Sequence, residues 1–200
     1  TKKLARTGTI DDVDGGTWSV NTAGDRLLAR GAGEGITLRD GKSGALLATL
    51  RPPGPGASRG GRFLSDGRIA LGIADEAGTR VEVFSSDGKP ERTLPIGAAG
   101  RIVFGGEAAP GLLVVAAGGN PGERASRTIF LADLASGKVR RAGDRLFPTV
   151  FLAGLLSGRP NYVPAPGSEA TRLFYGPGRS LVRFDALTGD RRVILDPSGP

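Results

Sequence analysis

Arginine is the residue type in this chain that is best suited to binding a ligand. The sequence carries 27 lysine and arginine residues against 20 acidic ones, which gives a net charge of +7. A guanidinium group presents a fork of N–H donors that matches carboxylate or phosphate oxygens. Five arginines lie in or beside segments predicted as loops at one end of the fold: Arg51, Arg59, Arg124, Arg145 and Arg179. We predict them as partner-binding residues, and the alternative is five independent, solvated side chains.

Histidine and cysteine, on which many enzymes depend, are both absent from the 200 residues. Their absence excludes thiolate nucleophiles, disulfides, zinc fingers and imidazole ligands, and also a hydrolase triad whose base is a histidine of this chain. We therefore predict no catalytic residue, no cofactor and no metal site. The weaker alternative is calcium, because the stretch 11–16 is like part of a calcium loop, although it lacks the later glutamate ligand.

Other ligand classes find little support in the sequence. Gly31, Gly33 and Gly35 precede a predicted strand rather than a helix, so they do not form a dinucleotide fingerprint. The sequence predicts no nucleic-acid partner, because there is no basic run and no recognition motif. No apolar run is long enough to span a bilayer, and the first thirty residues do not have the pattern of a signal peptide.

A turn motif that recurs along the chain is the strongest signal for the fold. Asp40-x-x-Ser43-Gly44 is repeated with the same spacing at Asp133 and Asp185, and Ser85 takes the corresponding place in between. These four positions follow one another at intervals of about 45–52 residues, the period of a four-stranded repeat unit. An aspartate that begins a turn accepts hydrogen bonds from amides two or three residues later, and the glycine supplies a positive φ. We interpret the motif as structural.

The segments before these turns alternate in polarity, as half-buried strands do. Ile36 and Leu38 alternate with Thr37 and Arg39, and no segment sustains a helical period. The pattern predicts an all-β fold of about four four-stranded units within a single domain, 1–200. The units cover approximately 11–50, 57–95, 99–142 and 147–196, and residues 1–10 are predicted as the outer strand of a neighbouring unit. In the last unit, segments 148–158 and 159–167 compete to supply the first strand.

The turns and strands together resemble a known repeat. The combination of Ser65-Asp66-Gly67 with strands that end in Asp-x-x-Ser/Thr-Gly looks like the β-propeller repeat of WD-type and TolB-like proteins and of prolyl-oligopeptidase-type propeller domains. The chain departs from true WD repeats because it lacks their Trp-Asp pair and their histidine. The resemblance implies four propeller blades. A section of a larger propeller is favoured over a closed four-bladed ring, because residues 1–10 look like the outer strand of an upstream blade.

In such a propeller, the loops after the second and fourth strands of each blade gather at one end. The resemblance therefore implies a non-catalytic binding or scaffold module that presents loops to a protein or glycan partner. The alternative is the propeller part of a larger hydrolase, where it would gate or dock substrate. The resemblance also implies an extracytoplasmic location, as in the periplasmic TolB family. In a section of a larger propeller, the two end faces would be exposed, and they would self-associate or contact the remaining blades of a larger chain.

Overall fold

The computed structural model describes residues 19–30, 35–98, 100–118, 127–144, 147–148, 171–175, 180–185 and 187–196. These residues form four antiparallel sheets, each with its strands in chain order. Sheet one contains β1 (Ser19–Val20), β2 (Arg26–Arg30), β3 (Ile36–Asp40) and β4 (Leu46–Leu50). Sheet two contains β5 (Ala57–Phe63), β6 (Ile69–Asp75), β7 (Gly78–Phe84) and β8 (Pro90–Pro95). Sheet three contains β9 (Arg101–Ala109), β10 (Leu112–Gly118), β11 (Thr128–Asp133) and β12 (Val139–Gly143). Sheet four contains β13 (Phe147–Pro148), β14 (Thr171–Tyr175), β15 (Leu181–Asp185) and β16 (Arg191–Leu195).

The turn motif joins the third strand of a sheet to the fourth, as its spacing predicts. The Asp40 carboxylate accepts hydrogen bonds from the amides of Lys42 (3.0 Å) and Ser43 (2.7 Å). Asp133 and Asp185 accept amide hydrogen bonds in the same pattern. The glycine that closes each motif has a φ between 73° and 82°, a conformation that side chains with a Cβ resist. The structural interpretation of the motif is therefore confirmed.

The second sheet builds its turn without the aspartate. The Ser85 hydroxyl accepts a hydrogen bond from the Lys89 amide at 3.0 Å and donates to the Asp87 carboxylate. Lys89 also pairs with Asp87 at 2.8 Å, and the two partners hold the pKa of the Asp87 carboxyl down at about 2. The turn of sheet two is therefore one residue shorter, because the Gly88 amide donates to the Ser85 carbonyl three residues earlier, whereas the Gly44 amide donates to the Asp40 carbonyl four residues earlier.

The sheets pack face to face. Alternate residues of a middle strand point to opposite sides of the sheet, so they belong to the two cores that flank it. Ile69, Leu71 and Ile73 of β6 pack toward sheet one, where they meet Leu38 and other residues of that sheet. Ala70, on the opposite side of the same strand, belongs to the core between sheets two and three. A third core joins sheet three to Val182 of β15. Because both faces of β6 are covered, all of its residues except Asp75 are buried.

Hydrogen bonds from one outer strand to the next turn reinforce this packing. Arg92 of β8 donates to the Ala135 carbonyl at 2.9 Å, and Arg140 of β12 donates to the Leu187 carbonyl at 3.0 Å. The two arginines hold the same register position, and the two carbonyls each lie two residues after the aspartate of their turn. An interface of this repeating kind forms when each sheet is rotated about a common axis relative to the last.

The first strands of successive sheets mark the inner side of this arrangement. β1 contacts β5, and β5 in turn contacts β9. The fold is a section of a β-propeller, as the sequence predicts, and each sheet is a blade. The described residues contain no helix that is long and apolar enough to cross a membrane.

Two first strands begin at positions that differ from the sequence predictions. Arg59 is predicted to lie in or beside a loop, but β5 begins at Ala57, so Arg59 lies within a strand. It falls at the irregularity between Ser58 and Gly61, and the residues on either side of this irregularity pair with β6. In the last blade, β13 consists of Phe147 and Pro148, so it begins one residue before the predicted segment 148–158 and overlaps it at Pro148. The predicted outer strand at residues 1–10, and segment 159–167, lie outside the described residues.

Candidate functional site

Three loops meet at one end of sheet two, and we call this surface the three-loop face. It consists of residues 51–56 between sheets one and two, the hairpin 75–78 between β6 and β7, and residues 96–98 after β8. Propeller loops of this kind lie on a rigid scaffold and commonly carry function. The face lies at the end of sheet two where the sequence predicts binding loops.

Arg80 holds the first loop in place. Its guanidinium donates to the Pro55 carbonyl at 2.6 Å and to the Pro53 carbonyl at 3.2 Å. The same group forms ion pairs with Glu82 at 2.6 Å and with Asp75 at the hairpin. Arg80 therefore connects a buried strand, a hairpin and an interblade loop through a single side chain.

Thr79, the preceding residue, holds the third loop. Its hydroxyl donates to the Ala98 carbonyl at 2.8 Å, and its own carbonyl accepts from the Ile96 amide at 2.9 Å. Because successive side chains of a strand point to opposite faces, Thr79 and Arg80 reach in opposite directions. One dipeptide thus fixes the two interblade loops that flank the hairpin.

The ionic cluster beneath the face is well shielded. Glu82 is 1% exposed, and its second carboxylate oxygen accepts a hydrogen bond from the Thr93 hydroxyl at 2.6 Å. Burial works against the charged form of Arg80, but the hydrogen bonds and charges of Glu82 and Asp75 outweigh it and raise the pKa of the guanidinium. Arg80 is therefore charged at physiological pH, and its contacts with the first loop do not depend on pH in that range.

The outer surface of the face is polar and of mixed charge. Arg51, Pro53, Pro55 and Glu76 are exposed there. The hairpin is closed by the Asp75 carboxylate, which accepts from the Ala77 and Gly78 amides at 2.9 and 3.1 Å. Such a surface can form hydrogen bonds and ion pairs with a partner while its own backbone stays fixed.

The predicted site residues are placed only in part. Arg51 lies at the edge of the three-loop face and is exposed, whereas Arg59 lies in β5 and only its backbone is described. The other three predicted arginines, Arg124, Arg145 and Arg179, lie outside the described residues, as does the acidic stretch 11–16. Convergence of the five on an anion stays a prediction. Among the described residues, no group of three or more acidic side chains could hold a metal ion.

The clamp formed by Thr79 and Arg80 is a feature that the sequence interpretation missed. A signal for it was present, because Arg80 and Glu82 are charged residues that alternate with Val81 and Val83 in a strand whose neighbours are apolar. A buried charge requires a partner. That rule could have marked the strand as the site of an ion pair, although not the loops to which the arginine binds.

Comparison with known proteins supports the fold and leaves the activity open. No protein-family model matches the sequence, and no curated protein matches it significantly. Solved structures do match. A protein assigned as TolB from Agrobacterium tumefaciens aligns with a TM-score of 0.59 at 12% identity, over 91% of this chain and 62% of that one. The C-terminal WD40 domain of Sif2 aligns with a TM-score of 0.61 at 12% identity, over 95% of this chain and 50% of that one.

A third match is the Pan2 WD40 domain of Neurospora crassa, with a TM-score of 0.60 at 11% identity, over 91% of this chain and 53% of the domain. These likenesses confirm the resemblance to WD-type and TolB-like propellers at the level of the fold. The chain spans between half and two thirds of the length of these three structures.

Proposed function

We propose that this chain is a non-catalytic β-propeller module that binds a protein partner through the three-loop face. The observation that supports the proposal is the fixation of both interblade loops by Thr79 and Arg80. A loop that is already held in its bound shape loses less conformational entropy when a partner binds. Fixed backbone and exposed charges therefore make this face the best binding surface among the described residues.

The composition of the face favours a protein over a glycan as the partner. Arg51 and Glu76 bring charges of opposite sign, as is usual at the polar rim of a protein interface. Charge complementarity of this kind gives an interface specificity and a faster association rate. The experiment below distinguishes a protein partner from a glycan partner.

The non-catalytic role is supported by the absence of histidine and cysteine from the sequence. The alternative role, as the propeller part of a larger hydrolase, requires a histidine base from outside this chain. A Gly-x-Ser-x-Gly segment and a later histidine in the same reading frame would favour that alternative. The resemblance to TolB-like repeats also leads us to propose an extracytoplasmic location, which fractionation of cells that express the natural gene would test.

The experiment compares three immobilised proteins: the unaltered chain, Arg51→Glu in the three-loop face, and Lys89→Glu at the opposite end of sheet two. Lys89 is a matched control because its side chain is 81% exposed and the charge reversal is the same. We expect proteins retained by the unaltered chain to be retained by Lys89→Glu and depleted on Arg51→Glu, measured by quantitative mass spectrometry of the captured material.

Equal retention on all three proteins would contradict the three-loop face as the binding surface. Binding to a glycan array that Arg51→Glu abolishes, without any such protein in the capture, would replace the protein partner with a glycan. Turnover of an esterase or peptidase substrate by the purified chain would contradict the non-catalytic role.

A further inference from the structure

The first loop of the three-loop face is rich in proline and bends sharply. Residues 51–56 have the sequence Arg-Pro-Pro-Gly-Pro-Gly. Pro53, Gly54 and Pro55 are exposed, and a Cβ added at Gly54 would meet no atom within 4 Å. The φ of Gly54 is 85°, so the loop bends there and does not continue as an extended polyproline helix. We call these three residues the proline bend, and it presents an exposed proline on each side of an exposed glycine.

The backbone of the proline bend has little hydrogen-bonding capacity left for a partner. Proline has no N–H, so Gly54 is the one amide donor in the stretch 52–55. The carbonyls of Pro53 and Pro55 already accept hydrogen bonds from the Arg80 guanidinium, at 3.2 and 2.6 Å. Addition of a partner strand requires a row of free main-chain donors and acceptors. A partner must therefore recognise this loop through its side chains.

The side chains of the loop offer apolar ring surface beside a positive charge. Pro53 and Pro55 are exposed, and the exposed Arg51 lies two residues before Pro53. The three stretches of the three-loop face contain no aromatic residue of their own. An aromatic ring is flat and apolar with a negative face, and proline-rich segments dock in grooves lined by such rings. A carboxylate beside the ring would pair with the arginine fork.

We propose that the three-loop face binds a protein segment that presents an aromatic side chain to Pro53 and Pro55 and a carboxylate to Arg51. This inference rests on the proposed function and names the chemistry of its partner. Because Arg80 holds the loop before binding, the contact orders little additional backbone. Glu76, exposed on the hairpin of the same face, repels a carboxylate, so the acidic group of the partner belongs beside Arg51.

The first test uses a display library of short random peptides as the probe. The library is depleted on immobilised Arg51→Glu and then selected on the unaltered chain. We expect the enriched peptides to carry tryptophan, tyrosine or phenylalanine close to an aspartate or glutamate. Enriched peptides without an aromatic residue would overturn this inference and leave the face as a binding surface. A selection without any peptide that depends on Arg51 would also overturn it, whereas the capture experiment above decides the proposed function independently.

The second test measures binding of the most enriched peptide, labelled with a fluorophore, by fluorescence anisotropy. Pro53→Ala and Pro55→Ala remove one ring each. Pro90→Ala is the matched control, because Pro90 is also exposed but begins β8 at the opposite end of sheet two. We expect each test variant to bind about threefold or more weaker and the control to bind like the unaltered chain. Equal affinity in all three variants would contradict contact with the proline bend.

The third test separates a ring contact from a loosened loop, since replacing proline also frees the backbone. The chain is left unaltered, and the aromatic residue of the peptide is replaced by cyclohexylalanine, which is apolar and similar in size but has no π face. We expect binding to weaken by about threefold or more. An unchanged affinity would show that any apolar group suffices, and the aromatic partner would be wrong.

The same peptide tests the pairing with Arg51. Replacing its carboxylate by the corresponding amide should weaken binding to the unaltered chain and have no effect on binding to Arg51→Ala, as expected when the two groups interact. Equal weakening with both proteins would overturn the assignment of the carboxylate to Arg51.

Discussion

The interface between sheets two and three and the outer face of sheet four carry leucine and arginine at equivalent register positions. The leucine is covered in the interface and exposed in sheet four. Leu94 and Leu195 hold the same register position, yet one is 1% and the other 60% exposed. Arg92 has a carbonyl acceptor in the next turn, whereas Arg192 has none within the described residues. The comparison shows that a blade does not complete its own core, because the next sheet supplies the second wall.

The largest expected effect comes from the buried leucine. Leu94→Ala should lower the free energy of unfolding by about 3–4 kcal/mol, because it removes buried methyl groups and leaves a cavity between two sheets. Leu195→Ala, measured in dilute monomer, should change it by less than about 0.5 kcal/mol because the side chain is already in solvent. Urea unfolding followed by circular dichroism measures both. Equal losses would mean that Leu195 is buried in solution.

Loss of the ion pairs of Arg80 should have the second-largest effect on the free energy of unfolding. Arg80→Ala leaves Glu82 charged and buried without its partner, and should cost about 3 kcal/mol. This is the low end for a buried pair because 15% of the Arg80 side chain is exposed. The exposed Arg192→Ala is the control in dilute monomer and should unfold like the unaltered chain. Proteolysis should cut loop 51–56 faster in Arg80→Ala, and an unchanged cutting rate would contradict its role in holding that loop.

Substitution of two turn glycines distinguishes the cost of a steric contact from the cost of backbone strain. Gly67 and Gly88 have φ values of 85° and 87°, so an added Cβ meets the same backbone penalty in both, about 1 kcal/mol. At Gly67 a Cβ has open space, whereas at Gly88 it would lie 2.9 Å from both Ala48 and Leu50 of sheet one. Gly88→Ala should therefore lose about 2 kcal/mol or more, and Gly67→Ala about half of that. Thermal unfolding of the two variants would distinguish them, and equal losses would show that the turn of sheet two does not press on sheet one.

The smallest effect concerns the turn carboxylates and depends on pH. Hydrogen bonds from Ser136 and from the Ala135 amide lower the pKa of Asp133 below its usual value. A carboxylate whose pKa is lower in the folded state stabilises the fold above its unfolded pKa, near 3.9, and loses that contribution as the pH falls through its folded pKa. Asp133→Ala should thus melt slightly below the unaltered chain at pH 7, and the difference should shrink below about pH 4. A difference that persists to pH 2 would show that the turn does not depend on the charge.

The sequence was a good guide wherever local chemistry decides structure. The Asp-x-x-Ser/Thr-Gly turns, the alternation of β3 and the division into four-stranded sheets all follow from hydrogen bonds and side-chain spacing within a few residues. Arg59 shows the limit, because it was predicted to lie in or beside a loop and lies instead in β5, whose residues on either side of the Ser58–Gly61 irregularity pair with β6. Whether such a segment becomes a strand depends on a neighbouring strand that also packs against another sheet.

The contacts at the candidate site could not be derived from the sequence for the same reason. The sequence interpretation ranked residues by charge and by loop position, and the binding role that it gives to Arg51 stays a prediction. Arg80 lies in a strand, and its partners are carbonyls about 25 residues earlier in the chain. A contact between residues so far apart in the chain cannot be predicted from a local sequence pattern.

By itself, then, the sequence determined the repeat unit, its turns and its lack of histidine and cysteine chemistry. These properties depend on residue type and short-range spacing. Only the tertiary structure decided which alternating residues become core, which loops are held by Thr79 and Arg80, and which leucine is left uncovered. The physical reason is that a blade buries its faces only against its neighbours, so the role of a side chain is set by the sheet packed against it.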